Sequence, residues 1–173
     1  MKSFKNIALI GFMGSGKSTV GEIISKKLNL LFIDIDNVIE LIEEKSIDSI
    51  FKLHGEKYFR ELESKVIDKI FLNKNCIFAC GGGVVKNSRN ADTIRKNSTV
   101  VYLHVSPEEA CRRLENVSNR PLLKVKDKQK VIKSIINERE MLYRKNADII
   151  VSNTDKNPEI IVYEIINKLG VST

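Results

Sequence analysis

The chain has 173 residues but only three cysteines, two histidines and no tryptophan. An odd cysteine count argues against a disulfide framework. Cys76 and Cys80 lie four apart in the apolar run CIFAC, on one face of a predicted strand. With only His54 and His104 elsewhere, they make a poor zinc site and read as buried thiols, as does Cys111. Aromatic residues make up 6% of the chain and hydrophobic residues 42%, so the core must be built mainly from Ile, Leu and Val. No apolar run approaches the roughly 18 residues a membrane span needs. The N-terminal MKSFKNIALI runs too soon into a glycine loop to serve as a signal peptide, so a cytoplasmic protein without membrane contact is expected. A long basic block is missing too. The formal charge of +7 is spread along the chain, which favours a lysine-rich surface and an anion-binding cleft over nucleic acid. There is no internal repeat or low-complexity linker, and the length suits one domain, residues 1–173.

What is present is concentrated at a few points. GFMGSGKST, Gly11 to Thr19, fits the phosphate-loop pattern G-x-x-x-x-G-K-[ST]. Backbone N–H groups can wrap a phosphate only where side chains stay clear, and Gly11, Gly14 and Gly16 give that space. Lys17 reaches the outer phosphates. The Ser18 hydroxyl suits magnesium, and the following helix points its positive end at the anion. The guanine-selecting Asn-Lys-x-Asp and the switch element Asp-x-x-Gly are both absent, so a GTPase switch is a poor reading.

Strands are predicted at 6–10, 30–33, 76–79, 99–105 and 148–151. Helical patterns lie between them, at 16–28, beyond His54, at 127–145 and up to about Leu169. Alternation of this kind implies an α/β fold with a parallel sheet, whose ligands bind at the carboxyl ends of the strands. The glycine loop, the pair Asp34 and Asp36 in FIDID, and Gly81-Gly82-Gly83 all fall at such ends. The third strand ends in Cys80 rather than an aspartate, which leaves Asp34 as the candidate metal carboxylate. On an extended chain Asp34 and Asp36 share a face. Asp36 has two readings, a hydroxyl-binding carboxylate or the cap of a helix starting near Asn37.

In the helix over 127–145 the apolar stripe runs Ile132, Ile135, Ile136, then position 139, then Leu142 and Tyr143. Position 139 is Arg, which on a core face needs an anion, either a ligand or a structural carboxylate. Arg60 lies beside the stripe of its own helix and by itself reads as a surface charge. The triple glycine allows backbone to approach a ligand closely. Together these features describe a small acceptor carrying hydroxyls and an anionic group.

In this order and spacing, GFMGSGKST, FIDID, GEKYFRELE, CGGGVV, NRPLL and ERE-LY resemble the shikimate kinase family over about residues 7–168. The resemblance implies a three-layer P-loop kinase fold with a five-stranded parallel sheet of order 2-3-1-4-5. It also implies a substrate-binding helical segment at about 33–61 and a lid at about 115–127. It implies phosphoryl transfer from ATP to shikimate by a monomer, with Mg2+ held at Ser18 and Asp34. Gly14, Ser15, Gly16, Lys17, Ser18, Thr19, Arg113 and Arg120 match the nucleotide-binding positions, Arg113 near the adenine and Arg120 from the lid. Asp36, Arg60, Gly81, Gly82, Gly83 and Arg139 match the shikimate site, and Lys17, Asp36 and Arg120 the catalytic set.

Overall fold

The computed structural model describes residues 6–115, 125 and 127–171. Within them the chain runs β1 (Asn6–Ile10), α1 (Lys17–Leu28), β2 (Leu31–Asp34), α2 (Ile35–Glu43), α3 (Ile47–Ile70) and β3 (Cys76–Ala79). A 3-10 turn at Val84–Lys86 leads to α4 (Ser88–Asn97), β4 (Ser98–His104), α5 (Pro107–Leu114), α6 (Lys128–Asn146), β5 (Ile149–Ser152) and α7 (Pro158–Lys168). The strands pair in parallel in the order β2-β3-β1-β4-β5.

The two faces of β1 show why there are three layers. Alternate residues of a strand point to opposite sides. Ala8 and Ile10 join a cluster with Ile39 of α2, Phe59 and Ile67 of α3 and Tyr143 of α6. Ile7 and Leu9 join another with Val20 and Ile24 of α1 and Ile161 and Ile165 of α7. Both faces are covered, so β1 is buried throughout, as a central parallel strand must be. Because β1 lies between β3 and β4, the sheet order switches direction beside it. The loop that leaves β1 therefore opens into the crevice where such sheets bind ligands.

Local chemistry sets the element ends. Ser106 accepts from the Glu109 N–H and Pro107 opens α5, as its sequence predicts. FIDID differs from expectation. The chain turns helical at Ile35, so Asp34 and Asp36 are not neighbours on an extended strand. Asp34 is the cap of α2, its carboxylate accepting from the Asp36 N–H at 3.0 Å. Asp36 sits in the first turn and is not a cap, so the cap reading of Asp36 is corrected. Helix α3 is broken at Gly55, where φ is 81° and ψ 173°. That region is open essentially to glycine alone. No helix among the described residues is long and apolar enough to cross a membrane.

Candidate active site

The glycine loop joins β1 to α1 and is wound around Lys17. The Lys17 ammonium donates to the carbonyls of Gly11 at 2.9 Å and Phe12 at 2.8 Å. Ser15 is fully buried beneath it, whereas Ser18 and Thr19 are exposed in the first turn of α1. The Ser18 hydroxyl donates to Asp34 Oδ2 at 2.6 Å, which brings the end of β2 to the loop. Gly14, Gly16, Lys17, Ser18, Thr19, Asp34, Asp36, Cys80, Gly81 and Gly82 thus line one cleft of about 190 Å³. Cys80 stands where the sequence reading looked for a carboxylate at the end of β3, and burial pushes its thiol far up, leaving it neutral.

A second cleft adjoins the first. Met13, Asp36, Gly81 and Gly82 line both, and the second adds Phe51, Phe59, Arg60, Glu63, Gly83 and Arg139. Arg139 is 3% exposed, as its place on the α6 stripe predicts. Its Nη1 donates to the Gly82 carbonyl at 3.0 Å. The Tyr143 hydroxyl, one turn on, donates to the same carbonyl. The Arg139 Nε is buried with no hydrogen-bond partner among the described residues. That is an unspent donor on a buried cation whose residue lines the cleft that carries the second arginine.

Arg60 is not the surface charge its helical position suggests. Its side chain is 23% exposed and lies against the triple-glycine turn. A Cβ at Gly83 would come within 2.5 Å of Arg60 Nη2, so a larger residue there would push the guanidinium aside. Arg60 pairs with Glu56 at 3.2 Å and with Glu63 at 2.9 Å.

Glu63 carries no role in the sequence reading beyond its place in the motif, yet it is fully buried. Burial pushes its carboxyl up more than the adjacent Arg60 holds it down, and Asp36 adds repulsion in the same direction. The same pairing keeps Arg60 charged. Its Oε1 has no partner among the described residues. The signal for Glu63 is the one that exposed Arg139, a charge on an apolar stripe between Phe59 and Val66. Tyr143 lies on such a stripe as well but reads there as ordinary core.

Arg113 is placed behind the glycine loop. It donates to the Gly14 carbonyl at 3.1 Å, the Asn153 carbonyl at 2.8 Å and Glu109 at 2.6 Å. Arg120 and most of the 115–127 segment lie outside the described residues. A larger cavity, about 620 Å³, opens between α5 and α6 beside Leu114, Val125 and Asp127. It borders that same stretch and contains none of the loop or glycine-turn groups, so the two smaller clefts are the better candidate for chemistry.

A phosphate loop at the switch point of this sheet, with a second polar cleft opening from it, defines the protein as a P-loop kinase of the small-molecule type. Comparison with known proteins narrows the class. The family model "Shikimate kinase" matches residues 13–170. A shikimate kinase of Dehalococcoides mccartyi is 44% identical over 98% of this chain and 96% of its own. One from Sulfurihydrogenibium sp. is 46% identical over 95% and 98%. The solved shikimate kinase of Acinetobacter baumannii, in complex with shikimate, superposes with a TM-score of 0.94 at 30% identity, covering 96% of this chain and 93% of that one. The chain belongs to the shikimate kinase family.

Proposed function

We propose that the protein transfers the γ-phosphoryl group of ATP to the 3-hydroxyl of shikimate, giving shikimate 3-phosphate and ADP for aromatic amino-acid biosynthesis. The observation that carries the acceptor assignment is Arg139, a buried cation with an unspent Nε, beside Arg60 in a cleft that shares Asp36 with the phosphate loop. Two arginines on one side fit a carboxylate, which guanidinium groups bind in a planar fork. Asp36 accepts a hydrogen bond from the acceptor hydroxyl and aims its oxygen at the γ-phosphorus. Gly81–Gly83 lets the ring approach the backbone. Gly14, Ser15, Gly16, Ser18 and Thr19 supply N–H groups to the phosphates, and Lys17 leaves the loop carbonyls to meet the outer phosphate.

Ser18 and Asp34 are the residues that would hold Mg2+. A hydroxyl and a carboxylate 2.6 Å apart are hard oxygen donors, and Mg2+ takes one or two protein groups, with water and phosphate completing the octahedron. No larger cluster of metal-binding side chains occurs among the described residues. Held there, Mg2+ would supply positive charge against the phosphates during transfer. Arg120 would add positive charge from the 115–127 lid, which keeps water from competing as acceptor. Arg113 serves the nucleotide side. Residues 33–61 form the acceptor-binding segment. The reading carries with it a monomer working in the cytoplasm.

ADP release with magnesium and ATP, measured with and without shikimate, beside gluconate and adenylylsulfate, tests the proposal. Stimulation by shikimate alone is expected. Stimulation by either competitor, or by none, would remove the acceptor assignment and leave a nucleotide-binding loop without its partner.

A further inference from the structure

The glycine loop is braced from outside by side chains that its motif does not contain. A loop that turns N–H groups toward an anion must turn carbonyls away from it, and each buried carbonyl needs a donor. Gly11 and Phe12 find theirs in Lys17. Gly16 accepts from the Val20 N–H at 2.9 Å, the first bond of α1. Between them, the Gly14 carbonyl accepts from Arg113, and the Ser15 carbonyl accepts from Asn153 Nδ2 at 2.6 Å.

Asn153 follows β5 directly and is 3% exposed. Both its backbone groups are committed. Its N–H donates to the His104 carbonyl at 2.7 Å, and its carbonyl accepts from Arg113 Nη2 at 2.8 Å. Arg113 is fixed in turn by Glu109, itself buried in the first turn of α5. The ends of β4 and β5 and the body of α5 therefore form one connected brace against two consecutive peptide planes of the loop.

We infer that Asn153, acting with Arg113, is a positioning residue of the phosphate site. A trans peptide carries its C=O and the next N–H in opposite directions on one rigid plane. Fixing the Ser15 carbonyl on Asn153 therefore aims the Gly16 N–H the other way, into the cleft. The Lys17 contacts to the loop are given up when Lys17 turns to a phosphate, whereas those of Asn153 and Arg113 are not. The brace is what keeps the loop in its binding shape while the anion is present. This inference rests on the nucleotide reading of the loop and extends it to residues far along the chain.

The test is MgADP affinity by calorimetry for the wild type, Asn153→Ala, Asn153→Asp, Arg113→Lys and Lys17→Ala. It is paired with the KM for shikimate at saturating ATP and with amide hydrogen exchange of the empty protein. Asn153→Ala should weaken MgADP about tenfold, the loss of one hydrogen bond to a buried carbonyl. Asn153→Asp, which faces the Ser15 carbonyl with a second acceptor, should weaken it further. The KM for shikimate should stay within about twofold, because the acceptor cleft is not touched. The peptide spanning Gly11–Thr19 should exchange faster while the strands do not. Unchanged MgADP affinity in Asn153→Ala overturns the brace whatever Arg113→Lys does, since Arg113 also serves the nucleotide side. So do equal losses for both substrates with faster exchange throughout, since Asn153 would then be ordinary core. A wild type that fails to bind MgADP, or a Lys17→Ala that binds as well as wild type, removes the nucleotide reading and the brace with it.

Discussion

At the scale of single residues, two charges on apolar stripes decide what the acceptor cleft can hold. Arg139 has a buried Nε without a partner and a backbone carbonyl under its Nη1. Truncating it to alanine removes a charge-assisted pair with the acceptor, worth roughly 1.5–3 kcal/mol. Arg139→Ala should therefore raise the KM for shikimate by about 10- to 100-fold and leave that for ATP within about twofold. Steady-state kinetics with each substrate varied in turn decides this, and equal effects on both would rule out a carboxylate role. Glu63 gives a prediction about pH. Its carboxyl is pushed up, chiefly by burial, with Arg60 and Arg139 pulling down and Asp36 pushing up. The folded state thus holds this proton more tightly than the unfolded chain does. The contribution is fully present below the ordinary carboxylate range and is lost as pH rises through the raised value. Urea unfolding of Glu63→Gln from about pH 4 to about pH 8 should show a flatter fall in stability with rising pH than wild type. An unchanged slope would mean that Glu63 ionises as it does in the unfolded chain.

These residues also show where sequence reasoning reached and where it stopped. Arg139 was legible because it broke a repeat of Ile and Leu. Glu63 broke one too, but an ion pair three residues back, at Arg60, makes such a charge look like a solvated helix face. Asn153 had no signal. An asparagine after a short strand looks like any loop opening, and its partner Ser15 lies 138 positions away.

At the scale of elements, the five strands were legible to within a residue, because parallel strands buried on both faces leave short aliphatic runs, whereas α4 gave no pattern of its own and α3 begins at Ile47, ahead of the helix read beyond His54. FIDID misled for a local reason. No turn residue separates β2 from α2, so the alternating pattern runs on past the point where Asp34 caps the helix. The helix read beyond His54 is the part of α3 that follows Gly55, where the backbone leaves the helix at positive φ with nothing close to where a Cβ would stand. Gly55→Ala meets dihedral strain and no steric clash, and should cost about 1–3 kcal/mol in chemical denaturation. A neutral or stabilising effect would show that α3 can run straight through position 55.

At the scale of the molecule, five parallel strands put every special loop at the carboxyl end of the sheet, which is why the site could be inferred from motif order. Net charge acts at this scale as well. A formal +7 spread over the surface attracts anionic substrates from a distance, and salt shortens that reach. Stopped-flow association of a fluorescent ATP analogue should slow as ionic strength rises, since the screening length falls from about 30 Å at 0.01 M to about 8 Å at 0.15 M. An association rate indifferent to salt would confine the charge to solubility.

The loop wound around Lys17 has a practical corollary. With Gly11 and Phe12 gripping the ammonium, the proposed phosphate cradle has the shape for any tetrahedral oxyanion of the right size. Sulfate and inorganic phosphate bind at helix N-termini by the same physics as a nucleotide's phosphates. If the loop is the phosphate site proposed above, phosphate buffer or ammonium sulfate should compete with nucleotide for it. Nucleotide affinities measured there will come out weaker than in a chloride buffer, by an amount set by the competing anion's own concentration.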